Sequence, residues 1–216
     1  MIVKETYTSY KQLWEKVQGL ACYLKTDCEV DKGDRVVVKA SQTLSYVISY
    51  FATHLAGAVF VPLEKNIPDN KAAEIIEETD AKIYISNIAI EQEGLRSIAI
   101  KAVEALAETY FNSSWKYDFP SGIDSADIMY TTGTTGKAKG VEVTHSVLLA
   151  TAENYISGFE IKRDNVIAVP GPMNHVNPLR KLYMSIMNGS TIVILNGLIS
   201  MKAFFHTLDE QGVTSL

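Results

Sequence analysis

The chain has 216 residues, 47% of them hydrophobic, with a formal net charge of -5 at pH 7 and a sequence pI near 5.4. Such a chain can bury the core of one large domain or two small ones, which excludes a disordered tail. The acidic balance lacks the basic surface that nucleic-acid phosphates require, so no nucleic-acid partner is expected. Because no apolar run approaches the roughly 18 residues of a membrane span and the start of the chain carries charges, we expect a cytoplasmic protein without a membrane span.

Cysteine and histidine placement predicts neither a disulfide framework nor a protein-only transition-metal site. The two cysteines, Cys22 and Cys28, match no common zinc spacing and are expected to be reduced thiols. The histidines are scattered, at His54, His145, His175 and His206. Their spacing gives no pair of metal ligands on one helix face.

The first half of the chain alternates helix and strand patterns. Apolar residues from Leu13 to Leu24 recur at three- and four-residue steps and predict a helix from Tyr10, capped by Thr8 or Ser9. Strands are predicted over residues 35–38, 58–63 and 82–85, helices over 44–55 and 71–78, and a further helical pattern between 95 and 110. This alternation favours an α/β protein with a largely parallel sheet covered on both faces.

The second half continues the alternation after a polar stretch, residues 112–125, which contains Pro120 and Gly122. That stretch is interpreted as a connection between a first α/β subdomain, residues 1–111, and the start of a second one, residues 126–216. Strands are predicted at 127–130, 141–143, 166–169 and 191–195, with another beginning near 213, and helices from His145, over 179–187 and over 201–208. Arg180 and Lys181 are predicted to lie on a solvated helix face.

Residues 131–140 combine glycines, threonines and lysines directly after an apolar strand. Glycines let backbone amides turn towards an anion, hydroxyls donate further hydrogen bonds and a lysine supplies positive charge, which suits a polyphosphate. The spacing matches neither the common P-loop nor the dinucleotide-binding fingerprint. Taken alone, such a segment is more often an ordinary surface loop.

The segment from Tyr130 to His145 resembles the phosphate-loop signature of the adenylate-forming enzyme superfamily, the AMP-dependent and acyl-CoA synthetase-like ligases, written Tyr/Phe-Thr-Ser-Gly-Thr-Thr-Gly-x-Pro-Lys-Gly-Val-x-x-Thr-His. Thr132 replaces the usual serine and keeps a hydroxyl, whereas Ala138 replaces the usual proline and removes a rigid φ angle. Residues 8–13, 30–36 and 55–63 are similar, in order, to the opening helix, the Gly-Asp-Arg-Val turn and the Ala-Gly-Ala strand of that family.

This resemblance implies the layered α/β/α/β sheets of the acyl-CoA synthetase-like N-terminal domain, in truncated form. It also implies that a carboxylate attacks the α-phosphate of ATP, that pyrophosphate leaves, and that the acyl group passes to CoA or to a carrier-protein pantetheine. The implied phosphate-binding residues are Thr131, Thr132, Gly133, Thr134, Thr135, Gly136, Lys137 and Lys139. Lys139 is the implied catalytic lysine, Lys137 stands at a position that varies in the family, and Thr131 is also the implied contact to Mg²⁺.

The same resemblance places His175 beside the carboxylate and acyl pocket, because Pro172 to His175 stands where acyl- and aryl-CoA synthetases carry a Pro-x-x-His stretch. Amino-acid-activating domains have a Phe-Asp-x-Ser type of motif there. The expected partners are therefore a small-molecule carboxylic acid, ATP and CoA. Two alternatives stay open: an adenylation domain that loads an amino or aryl acid onto a carrier protein, and a non-catalytic relative that only binds nucleotide or a partner.

Later motifs of the family, which hold adenine and ribose and supply a mobile catalytic lysine, do not occur in these 216 residues. The remainder of the N-terminal domain and the C-terminal domain are expected to belong to a parent protein of about twice this length or more. We therefore expect the fragment by itself to be inactive. Exposed sheet edges and core surface also predict that it self-associates.

Overall fold

The computed structural model describes residues 1–3, 6–111, 113, 115, 117, 119–131, 139–195 and 200–216, except for the side chain of Thr131. In chain order these residues form β1 (Ile2–Val3), β2 (Thr6–Tyr7), α1 (Tyr10–Thr26), β3 (Arg35–Lys39), α2 (Leu44–Leu55), β4 (Val59–Leu63), α3 (Asp69–Glu78), β5 (Ala81–Ser86), β6 (Arg96–Ala99), α4 (Val103–Tyr110), β7 (Ser125–Thr131), β8 (Lys139–Thr144), α5 (His145–Gly158), β9 (Val166–Val169), α6 (Val176–Asn188), β10 (Thr191–Ile194) and α7 (Met201–Glu210).

The strands form two sheets, which we call the large sheet and the small sheet. The large sheet has the order β6-β5-β3-β4-β7-β8, and every neighbouring pair is parallel except β7 and β8. The small sheet has the order β2-β1-β10-β9, with β10 parallel to both β1 and β9. The α/β fold and the mostly parallel pairing predicted from the alternating pattern are confirmed.

Alternation along the strands separates the layers. In β3, Val37 packs with α3 on one face of the large sheet, whereas Val36 and Val38 join the main core on the other face. That main core also contains residues of α1, α2, α4 and α6 and one face of the small sheet, including Ile192 and Ile194. On the outer face of the small sheet, Val193 packs with α7. Helices therefore lie outside both sheets and between them.

Helix α1 begins where its capping residues predict. The Ser9 hydroxyl accepts a hydrogen bond from the backbone N–H of Gln12, and the Gln12 side chain accepts one from the backbone N–H of Ser9. This reciprocal arrangement satisfies two N–H groups that the first turn leaves free. Further along, Gly19 touches α4 so closely that a Cβ atom there would lie 1.8 Å from the carbonyl oxygen of Ala107.

Both sheets take strands from before and after residues 112–125. In the small sheet, β1 pairs with β10, so that Ile2 lies opposite Val193. In the large sheet, β7 pairs with β4 through Phe60 and Asp127. The division between the sheets therefore does not coincide with residues 112–125, and the division of the chain into two subdomains there stays a prediction.

Candidate active site

A cavity of about 460 Å³ lies where strands of both sheets end. Its walls are the segments that directly follow β3, β4 and β9, and they consist of Ala40, Ser41, Gln42, Glu64, Lys65, Asn66, Pro170, Gly171, Pro172, Met173, Asn174 and His175. Ligand sites of open parallel α/β sheets form outside the carboxyl ends of the strands, since loops from several strands meet there. We call this space the carboxyl-edge cavity.

The predicted phosphate segment starts at the same edge of the large sheet. Strand β7 runs parallel to β4, and counting from the pair of Phe60 and Asp127 brings Tyr130 beside Leu63, the last residue of β4. Thr131 then pairs with Lys139 across the antiparallel β7 and β8. The two ends of the glycine- and threonine-rich segment are thus held side by side, next to the strand that leads into the carboxyl-edge cavity.

Most of the predicted phosphate-binding residues lie outside the described part of the chain. These are Thr132, Gly133, Thr134, Thr135, Gly136 and Lys137, together with the side chain of Thr131. Their roles stay predictions. Lys139 is described and stands exposed at the first position of β8.

His175 lies at the wall of the carboxyl-edge cavity, directly before α6. It is exposed, its backbone is extended, and its side chain makes no capping hydrogen bond to the helix. The imidazole is therefore available to a ligand in the cavity. The neighbouring Asn174 has a buried side-chain oxygen without a hydrogen-bond partner in the part of the chain that the structure describes. The structure thus brings His175 and the ends of the phosphate segment to one region.

The prediction that Arg180 is solvated is wrong. Arg180 is 2% exposed, and its Nη1 donates a hydrogen bond of 3.0 Å to the Oδ2 of Asp127, which is fully buried. The helix periodicity correctly put Arg180 away from Leu179 and Leu182. That side of α6 is nevertheless closed to solvent at Arg180, whose guanidinium reaches the carboxylate of Asp127 in β7.

Asp127 is the centre of a buried polar network. The hydroxyl of Tyr50 donates to Oδ2 at 3.3 Å, while Nε2 of His54 lies 3.0 Å from Oδ1 and 3.0 Å from the carbonyl oxygen of Ala126. Since both atoms facing Nε2 are acceptors, Nε2 carries the ring hydrogen. The other ring nitrogen of His54 lies 2.6 Å from the hydroxyl of Tyr183.

Burial keeps the tyrosines of this network protonated. Loss of solvation, with the negative charge of Asp127 as a second cause, raises the pKa of Tyr50 and of Tyr183 well above the usual value. Arg180 opposes this effect at both hydroxyls but does not cancel it. The network therefore joins α2, β7 and α6 through one carboxylate, one guanidinium and neutral hydroxyl donors.

Sequence reasoning missed this network. The sequence pattern predicts Asp127 at the start of a strand and gives it no further role, and the histidine spacing excludes His54 from a pair of metal ligands on one helix. The one signal that could have found them is the charged residue itself, since an aspartate within an apolar strand needs a partner when the strand is central. Nothing in the sequence identifies that partner as Arg180.

Within the described ranges, no group of three or more histidine, cysteine, aspartate or glutamate side chains is placed to hold a metal ion. In the same ranges, no helix has both the length and the apolar character needed to cross a membrane.

Proteins of related sequence match nearly the whole chain. The D-alanine--D-alanyl carrier protein ligase of Bacillus cereus (strain AH187) is 23% identical over 216 residues, which cover 97% of this chain and 42% of that protein. The N-(5-amino-5-carboxypentanoyl)-L-cysteinyl-D-valine synthase of Penicillium rubens is 24% identical, over 100% of this chain and 6% of the synthase. The chain thus spans less than half the length of these relatives.

Solved structures share the fold. The N-terminal subdomain of Klebsiella oxytoca NpsA, in complex with 3-hydroxybenzoyl-AMSN, superposes with a TM-score of 0.86 at 23% identity and covers 99% of this chain and 54% of that one. The o-succinylbenzoate CoA synthetase MenE of Bacillus subtilis, in complex with OSB-AMP, gives a TM-score of 0.85 at 19% identity, with 99% and 56% covered. The family model for AMP-binding enzymes matches residues 1–216. The chain therefore belongs to the AMP-binding enzyme family, the adenylate-forming ligases.

Proposed function

We propose that this chain is the phosphate-binding part of an ATP-dependent ligase that activates a carboxylic acid as an acyl-adenylate and then forms a thioester. One observation supports this most directly. The paired ends of the phosphate segment, at Thr131 and Lys139, stand at the same sheet edge as the carboxyl-edge cavity. A bound nucleotide and an acid in the cavity could therefore meet at this edge.

In the first step, a carboxylate oxygen of the acid attacks the α-phosphorus of ATP, and the bond from that phosphorus to the pyrophosphate breaks. The loop amides and hydroxyls of residues 131–136 would hold the phosphates, and Lys137 and Lys139 would add positive charge, with Lys139 at the leaving end. Mg²⁺, when bound with ATP, would supply further charge neutralisation, with the hydroxyl of Thr131 as a protein contact. His175 would border the acid.

In the second step, a thiolate attacks the carbonyl carbon of the adenylate, and AMP leaves with the electrons of the broken carbon–oxygen bond. CoA is the acceptor that the Pro-x-x-His stretch ending at His175 favours. A carrier-protein pantetheine is the second candidate, favoured by the similarity to the D-alanine--D-alanyl carrier protein ligase.

The test is exchange of labelled pyrophosphate into ATP by the longer protein that we expect to contain this chain. A panel of fatty, aryl and amino acids should reveal acid-dependent exchange for at least one class. Thioester formation with CoA or with a phosphopantetheinylated carrier would then identify the acceptor. Nucleotide binding without exchange for any acid class would instead support the non-catalytic relative.

A further inference from the structure

A second cavity, of about 510 Å³, lies at the opposite edge of the large sheet. Strand β8 runs antiparallel to β7, so it starts at Lys139 beside the phosphate segment and ends at the far edge, where His145 follows it. His145 and His54, near the end of α2, both line this space. We call it the amino-edge cavity. It is separate from the carboxyl-edge cavity and shares no lining residue with it.

The walls of the amino-edge cavity are aromatic and aliphatic. Trp14 and Phe51 come from α1 and α2, Phe119 from the segment before β7, and Ile186 from α6. Among the described residues that line the cavity, none is a lysine, arginine, aspartate or glutamate. A ligand with a full charge would lose its solvation there without gaining a counter-charge, so the walls favour a neutral molecule.

Several polar side chains in the walls are hydrogen-bonded within the protein. The Tyr10 hydroxyl donates to the carbonyl oxygen of Ser185 at 2.9 Å, and His54 is held by Tyr183 and Asp127. Nε2 of His145, by contrast, is buried and has no hydrogen-bond partner in the described part of the chain. His145 as a whole is 8% exposed. A buried polar atom of this kind is satisfied when a ligand supplies the missing partner.

The state of His145 defines the group that the ligand must carry. Burial is the main cause that lowers the pKa of His145 to about 4, and the nearby His54 is a smaller cause in the same direction. Asp127 and Asp124 oppose this effect. The imidazole is therefore neutral at pH 7, and Nε2 is either a donor or an acceptor, depending on the tautomer. A hydroxyl group can pair with either tautomer because it both donates and accepts.

From these features we infer that the amino-edge cavity binds a neutral, ring-containing molecule with a hydroxyl group, of the phenol class, whose hydroxyl pairs with Nε2 of His145. The aromatic walls hold the ring by apolar contact and edge or face packing. Nε2 is shielded from solvent, so the imidazole must turn about its Cβ–Cγ bond towards the cavity that it lines. This site does not depend on the proposed ligase activity.

The four histidines allow the site to be located directly. In the 216-residue chain labelled with ¹⁵N-histidine, long-range ¹H–¹⁵N spectra report each imidazole during titration with phenol, toluene or benzoate. We expect phenol to shift His145 in a saturable manner and to leave His175, in the other cavity, and the exposed His206 unchanged. Phenol should bind about tenfold more tightly than toluene, because a difference of this size is typical of one net hydrogen bond. Benzoate should bind more weakly than phenol.

Three variants distinguish the contribution of the cavity from that of the hydrogen bond. Replacing His145 by Phe should abolish the preference for phenol over toluene and keep toluene binding. Ile186→Trp should fill the cavity and abolish the binding of phenol and of toluene. Met187→Trp is the matched control and should leave the binding of these ligands unchanged. Ile186 is 40% exposed and Met187 is 42% exposed, but Met187 does not line the cavity.

In the unmodified chain, three outcomes would overturn the proposal: shifts at His175 alone, no saturable shift at His145, or equal affinity for phenol and toluene. If His145→Phe does not fold, the Ile186→Trp and Met187→Trp pair still decides the question. Unchanged phenol binding by Ile186→Trp would place the ligand elsewhere.

Discussion

The guanidinium of Arg180 lies 3.0 Å from the carboxylate of Asp127, and both side chains are closed to solvent. Asp127 belongs to β7, four residues before Thr131, and Arg180 belongs to α6, five residues after His175. The pair thus connects the strand that leads to the phosphate segment with the helix that begins at the carboxyl-edge cavity. Since both charges are desolvated, the interaction depends on both partners being present.

Replacing Arg180 by Met should lower the free energy of unfolding by about 4 kcal/mol, because it leaves a buried carboxylate without its counter-charge. The double variant Asp127→Asn with Arg180→Met should recover a large part of this loss. Urea unfolding of the four proteins of the cycle measures both effects. Lys181→Met, at the next position, is the control and should cost less than about 1 kcal/mol. A loss for Arg180→Met as small as that of the control would contradict the importance of the pair.

Gly19→Ala should destabilise the protein even though alanine favours helices. The new Cβ would lie 1.8 Å from the carbonyl oxygen of Ala107, so α1 and α4 would have to separate, at a cost of about 3 kcal/mol. Gly158→Ala, at the end of α5, is the matched control, since no atom lies within 4 Å of its added Cβ. That variant should change stability by less than about 1 kcal/mol. Thermal unfolding compares the two, and equal melting temperatures would show that the helices separate easily.

The stability of the protein should decrease as the pH is lowered, and part of this decrease should depend on His145. Its folded pKa of about 4 is below the ordinary histidine value of 6.5, so the unfolded state binds more protons between these two values. The free energy of unfolding should therefore be unaffected by this group above about pH 6.5 and decrease as the pH falls towards 4. Urea unfolding measures the free energy of unfolding at pH 7 and at pH 4.5. Between these pH values, the unmodified protein should lose about 2 kcal/mol more of this free energy than the His145→Phe variant loses. Parallel losses in the two proteins would assign the pH dependence to other groups.

Replacing Lys139 by Ala in the longer protein should slow acid-dependent pyrophosphate exchange by about a hundredfold, since one preorganised charged contact is worth about 3 kcal/mol in a transition state. Lys162→Ala is a suitable control, because Lys162 is exposed on the segment between α5 and β9. An exchange rate equal to that of the control would place the phosphate site elsewhere.

The 216-residue chain itself should fold but bind ATP no better than roughly millimolar, about -4 kcal/mol. The phosphate segment can hold phosphates, but the family motifs for adenine and ribose do not occur in this sequence. Isothermal titration and a pyrophosphate-release assay test the two statements. Micromolar affinity or sustained acid-dependent turnover would show that the nucleotide site is complete within these residues.

Much of the fold could be predicted because most elements carry their own signals. The periodicity and the Ser9 cap predict α1, and the β-branched run beginning at Arg35 predicts β3. The two-residue strands β1 and β2 are too short for any pattern, and β6 lies within a region whose helical residues dominate the periodicity. Local patterns reveal one buried face of an element. They do not reveal a second buried face, which is why the sequence pattern predicts a solvated Arg180.

The candidate site was predictable in part for the same reason. Residues 131–140 combine glycines, threonines and lysines, a composition that indicates phosphate binding, so the phosphate segment could be found from the sequence alone. The convergence of His175 with segments after β3 and β4 depends on sheet order, which no local pattern contains. The amino-edge cavity depends likewise on how α1, α2 and α6 pack together.

The pairing of Ile2 with Val193 determines the order in which the chain can fold as it leaves the ribosome. Every strand of the large sheet has been made once Thr144 is synthesised, so that sheet can assemble early. Strand β1 cannot pair with its parallel neighbour until β10 has been synthesised. Because closing so long a loop is slow, we expect the small sheet to form last, on a large sheet that is already folded.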